Sequence, residues 1–211
     1  MFDLDGVIVD TAKYHFIAWK KLANQLGIDF TEEENEKLKG VSRVESLQLI
    51  LNWGGLKKSD EEMHTLATLK NSWYVDMIQN MQPDEILPGV VDFLEELKAA
   101  NIKIALGSAS KNSETILRKI NLFDEFDAII DGTKVSKSKP DPEVFLKGAE
   151  ALQVEPSNCI VFEDALAGVE AAINGGMRVV GIGESQILTK ADLVVEGLHQ
   201  LNLAKLKAFF I

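Results

Sequence analysis

The chain has 211 residues, an apolar fraction of 46% and a formal net charge of −11. This length and apolar content suit one sizeable core, or a core with a smaller attached module, and argue against a disordered chain. The negative charge argues against nucleic acid and anionic membranes as partners, because those surfaces attract clustered lysines and arginines. Phosphorylated small molecules remain compatible, since a few basic side chains or a metal ion can reverse the field inside one pocket.

Two further features bear on where the protein works. No apolar run approaches the roughly 20 residues that span a bilayer, and no basic stretch leads into an apolar one at the N-terminus, so we expect no signal peptide. The single cysteine, Cys159, leaves no internal disulfide and fits a reducing compartment. We therefore predict a cytoplasmic protein, and we expect it to be a monomer.

The first nine residues, MFDLDGVIV, place the carboxylates of Asp3 and Asp5 inside an otherwise apolar segment. Burying an unpaired carboxylate is costly or forces it to take up a proton, so these side chains need a partner. We interpret the segment as containing the first strand of a sheet, which ends in Asp3 and Asp5, and alternation along this strand sends both carboxylates to the same side.

Residues 10 to 81 carry helical patterns and no convincing strand. The first helix has an apolar stripe at four-residue steps, formed by Tyr14, Ala18, Leu22 and Leu26. Further helical patterns cover 31 to 39, 43 to 53 and 60 to 80. Because this segment is far longer than a single crossover between parallel strands needs, we predict an all-helical cap domain, 10 to 81, inserted after the first strand.

From about residue 86 onward, helical and strand patterns alternate. Strands are predicted over 102 to 110, 126 to 132, 158 to 164 and 178 to 183, with a last one at ADLVV. Helices are predicted over 89 to 101, 113 to 121, 142 to 152 and 165 to 173, with a final helix near the C-terminus. This alternation predicts an α/β core of residues 1–9 and 82–211, a Rossmann-like parallel sheet with helices on both faces.

Unusual polar residues follow the predicted strands, at the edge where open α/β sheets bind ligands. They are Asp3, Asp5, Ser108, Lys139, Glu163 and Asp164. Taken singly, the serine could be a helix cap, the lysine a solvated loop charge and the acidic pair a favourable helix start. Taken together, the carboxylates would repel one another unless a hard cation such as Mg²⁺ joined them, and phosphoryl transfer uses such a set.

Four ordered segments, FDLDGVIVD, GSASKN, SKPDPEVF and FEDALAGVEA, resemble the four motifs of the haloacid dehalogenase superfamily over nearly the whole chain. The resemblance implies that Asp3 is a nucleophile forming an aspartyl phosphate and that Asp5 is the general acid and base. It also implies that Ser108 and Lys139 bind the transferring phosphoryl group. The implied Mg²⁺ ligands are Asp3, the backbone carbonyl of Asp5 and Asp164, with Glu163 in or near that set. One departure is that only Met1 and Phe2 precede Asp3, whereas family members usually have several apolar residues there, so we expect a protein that really begins at Met1 to be less stable.

Members of the superfamily catalyse several different reactions, and the sequence argues against some of them. Asp5 together with Glu163 and Asp164 argues against a dehalogenase, and no Schiff-base lysine for a phosphonatase can be placed. The segments TAKYHFIAWKKLA, LKGVSRVESLQLIL and LKNSWYVDMI are similar to the cap of the superfamily's sugar phosphomutases. That similarity implies interconversion of β-glucose 1-phosphate and glucose 6-phosphate through β-glucose 1,6-bisphosphate. A sugar phosphate phosphatase is the alternative, and a catalytically silent binding protein is a remote one.

A mutase must bind a second phosphate at a distance from the nucleophile, and a guanidinium such as that of Arg43 suits this task. By resemblance, the other substrate-binding candidates are Gly40, Val41, Ser46, Trp19, Lys70, Ser108, Ala109, Lys111 and Asn112. The resemblance also implies that His15 positions Asp5 when the cap closes, and that Lys70 is a cap partner near the hinge and His15. Alternative interpretations are a solvated helix residue for Arg43, a surface histidine for His15 and a core aromatic for Trp19. Hinges are expected near 9 to 12 and 78 to 82.

Overall fold

The computed structural model describes residues 1–210. Its helices are α1 (Ala12–Gln25), α2 (Glu32–Glu36), α3 (Arg43–Trp53), α4 (Asp60–Ile78), α5 (Val90–Ala99), α6 (Ser113–Lys119), α7 (Glu143–Leu152), α8 (Leu166–Asn174) and α9 (Leu203–Phe210). Its strands are β1 (Ala105–Gly107), β2 (Ala128–Ile130), β3 (Ile160–Glu163), β4 (Arg178–Ile182) and β5 (Leu193–Val195). The predicted order of elements after the first segment is confirmed, and all five strands are shorter than their sequence patterns.

All strands of the sheet are parallel, as the alternation of helices and strands predicts. β1 pairs with β2, while β3 pairs with β4 and β4 with β5. Phe2 joins these two parts, because it forms parallel bridges to Leu106 on one side and to Phe162 on the other. The sheet order is therefore β2, β1, the segment around Phe2, β3, β4 and β5, and Asp3 follows at the centre of the sheet.

The first segment differs from the predicted strand. The backbone of Phe2 is hydrogen-bonded to Ala105 and Gly107, and Asp3 donates to the carbonyl of Phe162 at 2.9 Å. Beyond Asp3 the chain turns, and the Leu4 carbonyl accepts backbone N–H groups from residues 7, 8 and 9. The predicted strand ending in Asp3 and Asp5 was therefore wrong after Asp3, and strand alternation does not explain how Asp5 faces the site. The turn buries the apolar side chains of the segment without further pairing in the sheet.

Helices cover both faces of the sheet, and neighbouring residues of one strand show this directly. In β3, Val161 belongs to an apolar cluster with Phe145 of α7, while Phe162 belongs to another cluster with Phe93 of α5. The ring of Phe2 stacks on that of Phe162, with centroids 4.5 Å apart. This two-sided burial explains why the strands are continuous apolar runs.

Helices α1, α3 and α4 and the segments that connect them share an apolar cluster of their own, whose buried members lie between Trp19 and Ala67. Polar caps begin α3 and α4, where Ser42 and Ser59 accept backbone N–H groups from the first turn. The α4 helix continues to Ile78, which packs with the cluster on the sheet. This separate apolar cluster in the insert supports the predicted division of the chain into a cap, 10–81, and a core, 1–9 and 82–211. The division itself remains a prediction.

Two connections join the helical insert to the sheet. Val9 forms an antiparallel bridge with Ile86, so the outgoing and returning segments lie side by side. Next to it, Glu85 accepts a hydrogen bond from the Tyr14 hydroxyl at 2.5 Å and pairs with Lys13 at 2.8 Å. Both connections lie close to the predicted hinges. Within residues 1–210, no helix combines the length and apolar character that crossing a membrane requires.

Candidate active site

A cleft of about 400 Å³ lies between the helical insert and the carboxyl ends of the strands. This volume suits a small organic ligand. The predicted site residues that line it are Asp3, Asp5, His15, Trp19, Gly40, Val41, Arg43, Ser46, Lys70, Ser108, Ala109, Lys111, Asn112, Lys139 and Asp164. Glu163 does not line the cleft and is fully buried behind Lys139. The structure thus brings residues from distant parts of the chain to one place.

Lys139 is the buried cation at the floor of the cleft. Its Nζ lies 2.6 Å from Asp3 Oδ1 and 2.5 Å from Glu163 Oε1, and all three residues are at most 5% exposed. Burial alone would lower the pKa of Lys139, but the two carboxylates raise it above its usual value. For Glu163, burial and Asp3 outweigh the attraction of Lys139 and raise the pKa to about 7.

Asp3, Glu163 and Asp164 offer carboxylate oxygens that all lie within 4.8 Å of one another. The pKa of Asp164 is raised well above its usual range by burial and by the other two carboxylates. If all three carboxylates are ionised, their combined negative charge exceeds the single positive charge of Lys139. A set made only of oxygens fits Mg²⁺, which prefers such donors, and a divalent cation would relieve the repulsion.

Two glycines allow this close packing of carboxylates. Gly6 has a φ of +76°, and a Cβ there would collide with the carboxylate of Asp164. Gly168, in the first turn of α8, packs against Glu163 so closely that a Cβ would overlap its carboxylate. The backbone N–H of Ala165 then donates to Glu163 Oε2 at 2.8 Å. Glycine at these positions lets the turn after Asp3 and the start of α8 meet around the acidic groups.

Asp5 lies beside a second cluster, formed with the helical insert. The Thr11 hydroxyl donates a hydrogen bond to Asp5 Oδ1. Burial and the nearby Asp3 raise the pKa of Asp5 to about 6, with the Thr11 hydrogen bond opposing them. A carboxyl group with such a pKa can exchange a proton near neutral pH, which is what a general acid and base needs.

His15 and Lys70 form a close pair, with His15 Nδ1 and Lys70 Nζ 2.9 Å apart. Burial lowers the pKa of both groups, and each is lowered further by nearby positive charge. The Lys70 ammonium also lies 4.5 Å from the centroid of the Trp19 ring. Trp19 is buried in the apolar cluster of the insert and lines the cleft as well, so the sugar-site and core interpretations of Trp19 are compatible.

Tyr74 contributes the most unusual polar atom of this cluster. Its ring contacts that of His15, with centroids 4.3 Å apart. Its hydroxyl is buried and has no hydrogen-bond partner within residues 1–210, although the Thr11 hydroxyl, which donates to Asp5, is close by. Burial, with Asp5 nearby, raises the pKa of Tyr74 well above its usual value, so the hydroxyl stays neutral.

Replacing Tyr74 with phenylalanine is expected to raise the free energy of unfolding by about 1 kcal/mol, because the change removes a buried hydroxyl without a partner. Tyr14→Phe is the matched control and should lower it by a similar amount, because the Tyr14 hydroxyl donates to Glu85. Urea unfolding of both variants measures the difference. A loss of stability in Tyr74→Phe as large as that in Tyr14→Phe would contradict the expectation.

The loop after β1 carries the second group of predicted substrate residues. Ser108 is fully buried, and its hydroxyl accepts the backbone N–H of Ser110 at 3.1 Å. Asn112 precedes α6, and its side chain donates to Asn71 of α4 at 3.1 Å. Arg43 begins α3 on the opposite wall, where burial lowers its pKa below the usual value. The cleft therefore combines acidic groups at the sheet with Arg43 and Lys111 elsewhere in its lining.

Glu143 anchors the loop that leads to Lys139. Its Oε2 accepts the backbone N–H groups of Ser136 and Lys137 at 2.9 and 2.8 Å, and the Ser136 hydroxyl at 2.9 Å. Its other oxygen pairs with Lys147 at 2.6 Å. The Lys147 hydrogen bond is the largest of the effects that lower the pKa of Glu143 to about 2. This anchoring is therefore present above the usual carboxyl pKa and is lost as the pH falls through about 2.

Replacing Glu143 with alanine is expected to lower kcat/KM about three- to tenfold, because the 136–139 loop loses three hydrogen bonds that fix it beside the cleft. Glu150→Ala is the matched control, since Glu150 is an exposed residue of the same helix. Steady-state kinetics of both variants tests the effect. Equal kinetics in the two variants would mean that the loop is held by other contacts.

Several functional candidates were not singled out in the sequence. Thr11, Asn71 and Tyr74 line the cleft, as does Lys39, whose Nζ lies 3.6 Å from Asp164 Oδ2. Thr11 begins the TAKYHFIAWKKLA segment, and the other three lie in the two further segments that resemble the cap, so that resemblance was the available signal. Within those segments they are ordinary helix or loop residues by pattern, and the packing of the insert against the sheet singles them out.

Comparison with known proteins places the chain in a family. A family model described as "Haloacid dehalogenase-like hydrolase" matches residues 1–182. The chain belongs to the haloacid dehalogenase-like hydrolase family. The fold and the family resemblance predicted from the four motifs are thereby confirmed.

Relatives within the haloacid dehalogenase-like family are similar over nearly the full chain. A beta-phosphoglucomutase of Bacillus subtilis is 47% identical over 205 residues, covering 96% of this chain and 91% of the relative. A phosphorylated carbohydrates phosphatase of Thermotoga maritima is 33% identical, with 97% of each chain covered. A crystal structure of a beta-phosphoglucomutase from Clostridium difficile superposes with a TM-score of 0.96 at 46% identity, covering 99% of this chain and 95% of that one.

Proposed function

We propose that this protein is a β-phosphoglucomutase, an isomerase that interconverts β-glucose 1-phosphate and glucose 6-phosphate. The observation that carries the proposal is the 47% identity over 96% of the chain to a beta-phosphoglucomutase. The geometry supports it, because one cleft presents the carboxylates of Asp3 and Asp5 together with Arg43 and Lys111. Such a cleft can hold one phosphate beside Asp3, where Lys139 supplies positive charge, and a second at Arg43 and Lys111, which a bisphosphate intermediate requires.

In the proposed cycle, Asp3 carries the phosphoryl group as an acyl phosphate. A sugar hydroxyl attacks the phosphorus, the bond to the Asp3 oxygen breaks, and Asp5 takes the hydroxyl proton. This gives β-glucose 1,6-bisphosphate and the free Asp3 carboxylate. After the bisphosphate turns around, Asp3 attacks the other phosphate, and Asp5 returns the proton to the departing sugar oxygen. Atoms and protons balance, and the raised pKa of Asp5, about 6, suits both of its roles.

Other side chains position these two carboxylates. Lys139 holds Asp3 at 2.6 Å and is placed to neutralise charge on the transferring phosphoryl oxygens, with Ser108 as a further donor. The Thr11 hydroxyl donates to Asp5, and Lys70, which pairs with His15, lies near enough for its charge to act on Asp5. Closure of the insert would exclude water from the aspartyl phosphate, which a mutase must protect.

We propose Mg²⁺ as the cofactor, held by Asp3, Asp164 and the backbone carbonyl of Asp5, with Glu163 in or near this set. The grouping of three carboxylates within 4.8 Å supports the assignment. When bound, the ion supplies charge neutralisation for the phosphoryl oxygens. We also propose that the protein acts as a cytoplasmic monomer on small sugar phosphates.

A sugar phosphate phosphatase is the second candidate, because the Thermotoga relative is named as a phosphatase of phosphorylated carbohydrates. Its identity to this chain, 33%, is lower than the 47% of the Bacillus mutase. The two functions differ in the acceptor of the phosphoryl group, which is water for the phosphatase and a sugar hydroxyl for the mutase. The ratio of free phosphate to isomerised sugar therefore separates them.

The test is a coupled assay with Mg²⁺ and a trace of β-glucose 1,6-bisphosphate. It compares β-glucose 1-phosphate with its α anomer and records glucose 6-phosphate and free phosphate together. Glucose 6-phosphate formed from the β anomer alone is the expected result. Free phosphate without glucose 6-phosphate would overturn the mutase proposal in favour of the phosphatase.

A further inference from the structure

The side chains of Asn71 and Asn112 form a contact across the cleft. Asn71 lies on α4 of the helical insert, and Asn112 lies in the loop between β1 and α6. Asn112 Nδ2 donates to Asn71 Oδ1 at 3.1 Å, and both residues are half-buried and line the cleft. We call these two residues the asparagine clasp.

The loop on the sheet side of the clasp is fixed by its own hydrogen bonds. The backbone N–H of Asn112 donates to the Ser110 hydroxyl at 3.2 Å, and the Ser113 hydroxyl donates to the Ser110 carbonyl at 2.9 Å. Asn71 contacts this loop from α4, one residue after Lys70 of the His15 pair. A change in the position of α4 therefore changes the contact with Asn112 directly.

The clasp leaves hydrogen-bonding capacity facing the cleft. A side-chain amide nitrogen carries two N–H groups, and Asn112 uses one of them on Asn71. The second N–H remains for a ligand, and the first bond fixes the direction in which it points. Fixing a donor before binding reduces the entropy lost when a phosphate oxygen arrives.

We propose that Asn71 is a positioning residue that acts through Asn112, so that closure of the insert orients the donor for the phosphate away from Asp3. This inference rests on the proposed function and adds a residue that couples closure to recognition of the distal phosphate. Loss of the clasp weakens binding of a sugar phosphate and lets water reach the aspartyl phosphate more often. It leaves phosphorylation of Asp3 by a small donor unchanged, because such a donor does not reach Asn112.

The test uses Asn71→Leu, which keeps the approximate shape and removes the acceptor. KM for β-glucose 1-phosphate is expected to rise about three- to tenfold, with kcat changed less than about twofold and more free phosphate per turnover. The rate at which acetyl phosphate phosphorylates Asp3 should stay the same. Asn52→Leu is the matched control, because Asn52 accepts a similar amide hydrogen bond from Gln48 at 2.9 Å on the exposed face of α3.

A double-mutant cycle with Asn112→Ala decides between the clasp and independent effects. The Asn71→Leu change should raise KM much less when Asn112 is already alanine, because the shared contact is gone. Equal effects in both backgrounds, or a KM within twofold of the wild type, would overturn the inference. If the wild type releases phosphate without isomerisation, the proposed function fails, and the same cycle on the KM for phosphate release still tests the clasp.

Discussion

Asp3→Asn is expected to lower isomerisation by at least about 10⁴-fold, the scale seen when a covalent nucleophile is removed. A neutral amide at this position cannot form the acyl phosphate. The substitution keeps the shape of the side chain, and Lys139 retains Glu163 as a partner at 2.5 Å, so the fold should persist. The measurement is the coupled assay, together with mass spectrometry for a phosphorylated protein after incubation with acetyl phosphate.

Asp92→Asn is the control for Asp3→Asn, because Asp92 is an exposed residue in the first turn of α5. It should show wild-type kinetics and become phosphorylated normally. If Asp3→Asn still formed a phosphorylated protein, or kept more than about one hundredth of the activity, Asp3 could not be the nucleophile. Residual activity from carry-over of wild-type protein is excluded by testing an independently purified Asp3→Ala variant.

Lys139→Met is expected to lower the free energy of unfolding by about 3 kcal/mol in Mg²⁺-free buffer, because it leaves the buried carboxylates of Asp3 and Glu163 without their cation. Activity should fall by about 10²- to 10³-fold, since in the proposed mechanism the ammonium also neutralises the transferring phosphoryl group. Adding Mg²⁺ should restore part of the lost stability by neutralising the same carboxylates. Urea unfolding with and without Mg²⁺ measures both effects.

The pH dependence of the Lys139→Met deficit follows from Glu163. Its pKa is about 7 in the folded protein against an ordinary value of 4.5, so folding becomes less favourable as the pH rises between these values. Removing the ammonium raises that pKa further, and the loss of stability should be larger at pH 8 than at pH 5. A deficit independent of pH would show that the carboxylates do not depend on Lys139.

Lys37→Met serves as the control for Lys139→Met, because Lys37 pairs with Glu33 at 3.1 Å on the surface of the insert. Exposed pairs contribute little, so the free energy of unfolding should change by less than about 0.5 kcal/mol. The contrast between the two lysines isolates the effect of burial from that of charge removal. Equal losses in the two variants would contradict the role given to the buried pair.

Periodicity in the sequence located most of the elements correctly. The helices from α3 to α8 begin and end close to their predicted bounds, because amphipathic spacing and capping residues are local signals. The first strand was the main error. Only Phe2 pairs on both sides, and the turn that follows depends on the Leu4 carbonyl and on Gly6, which strand patterns do not reveal.

The candidate site was predictable where its residues lie in ordered motifs. Asp3, Lys139 and Asp164 follow strands or precede helices, and parallel strands must bring their carboxyl ends to one edge of the sheet. The hydrogen-bond partners of these residues could not be predicted from the sequence. That Lys139 bonds Glu163 as well as Asp3, with Glu163 behind the cleft rather than in its lining, depends on the packing of α8 at Gly168.

By itself, the sequence determined the α/β class, the helical insert, the family motifs and the carboxylate and lysine chemistry of the site. These properties are encoded by residue type and spacing along the chain. The tertiary structure decided which distant side chains meet, including His15 with Lys70 inside the insert and Asn71 with Asn112 across the cleft. These pairs join residues 55 and 41 positions apart: the first needs α1 and α4 to pack together, and the second needs the insert to fold back over the sheet.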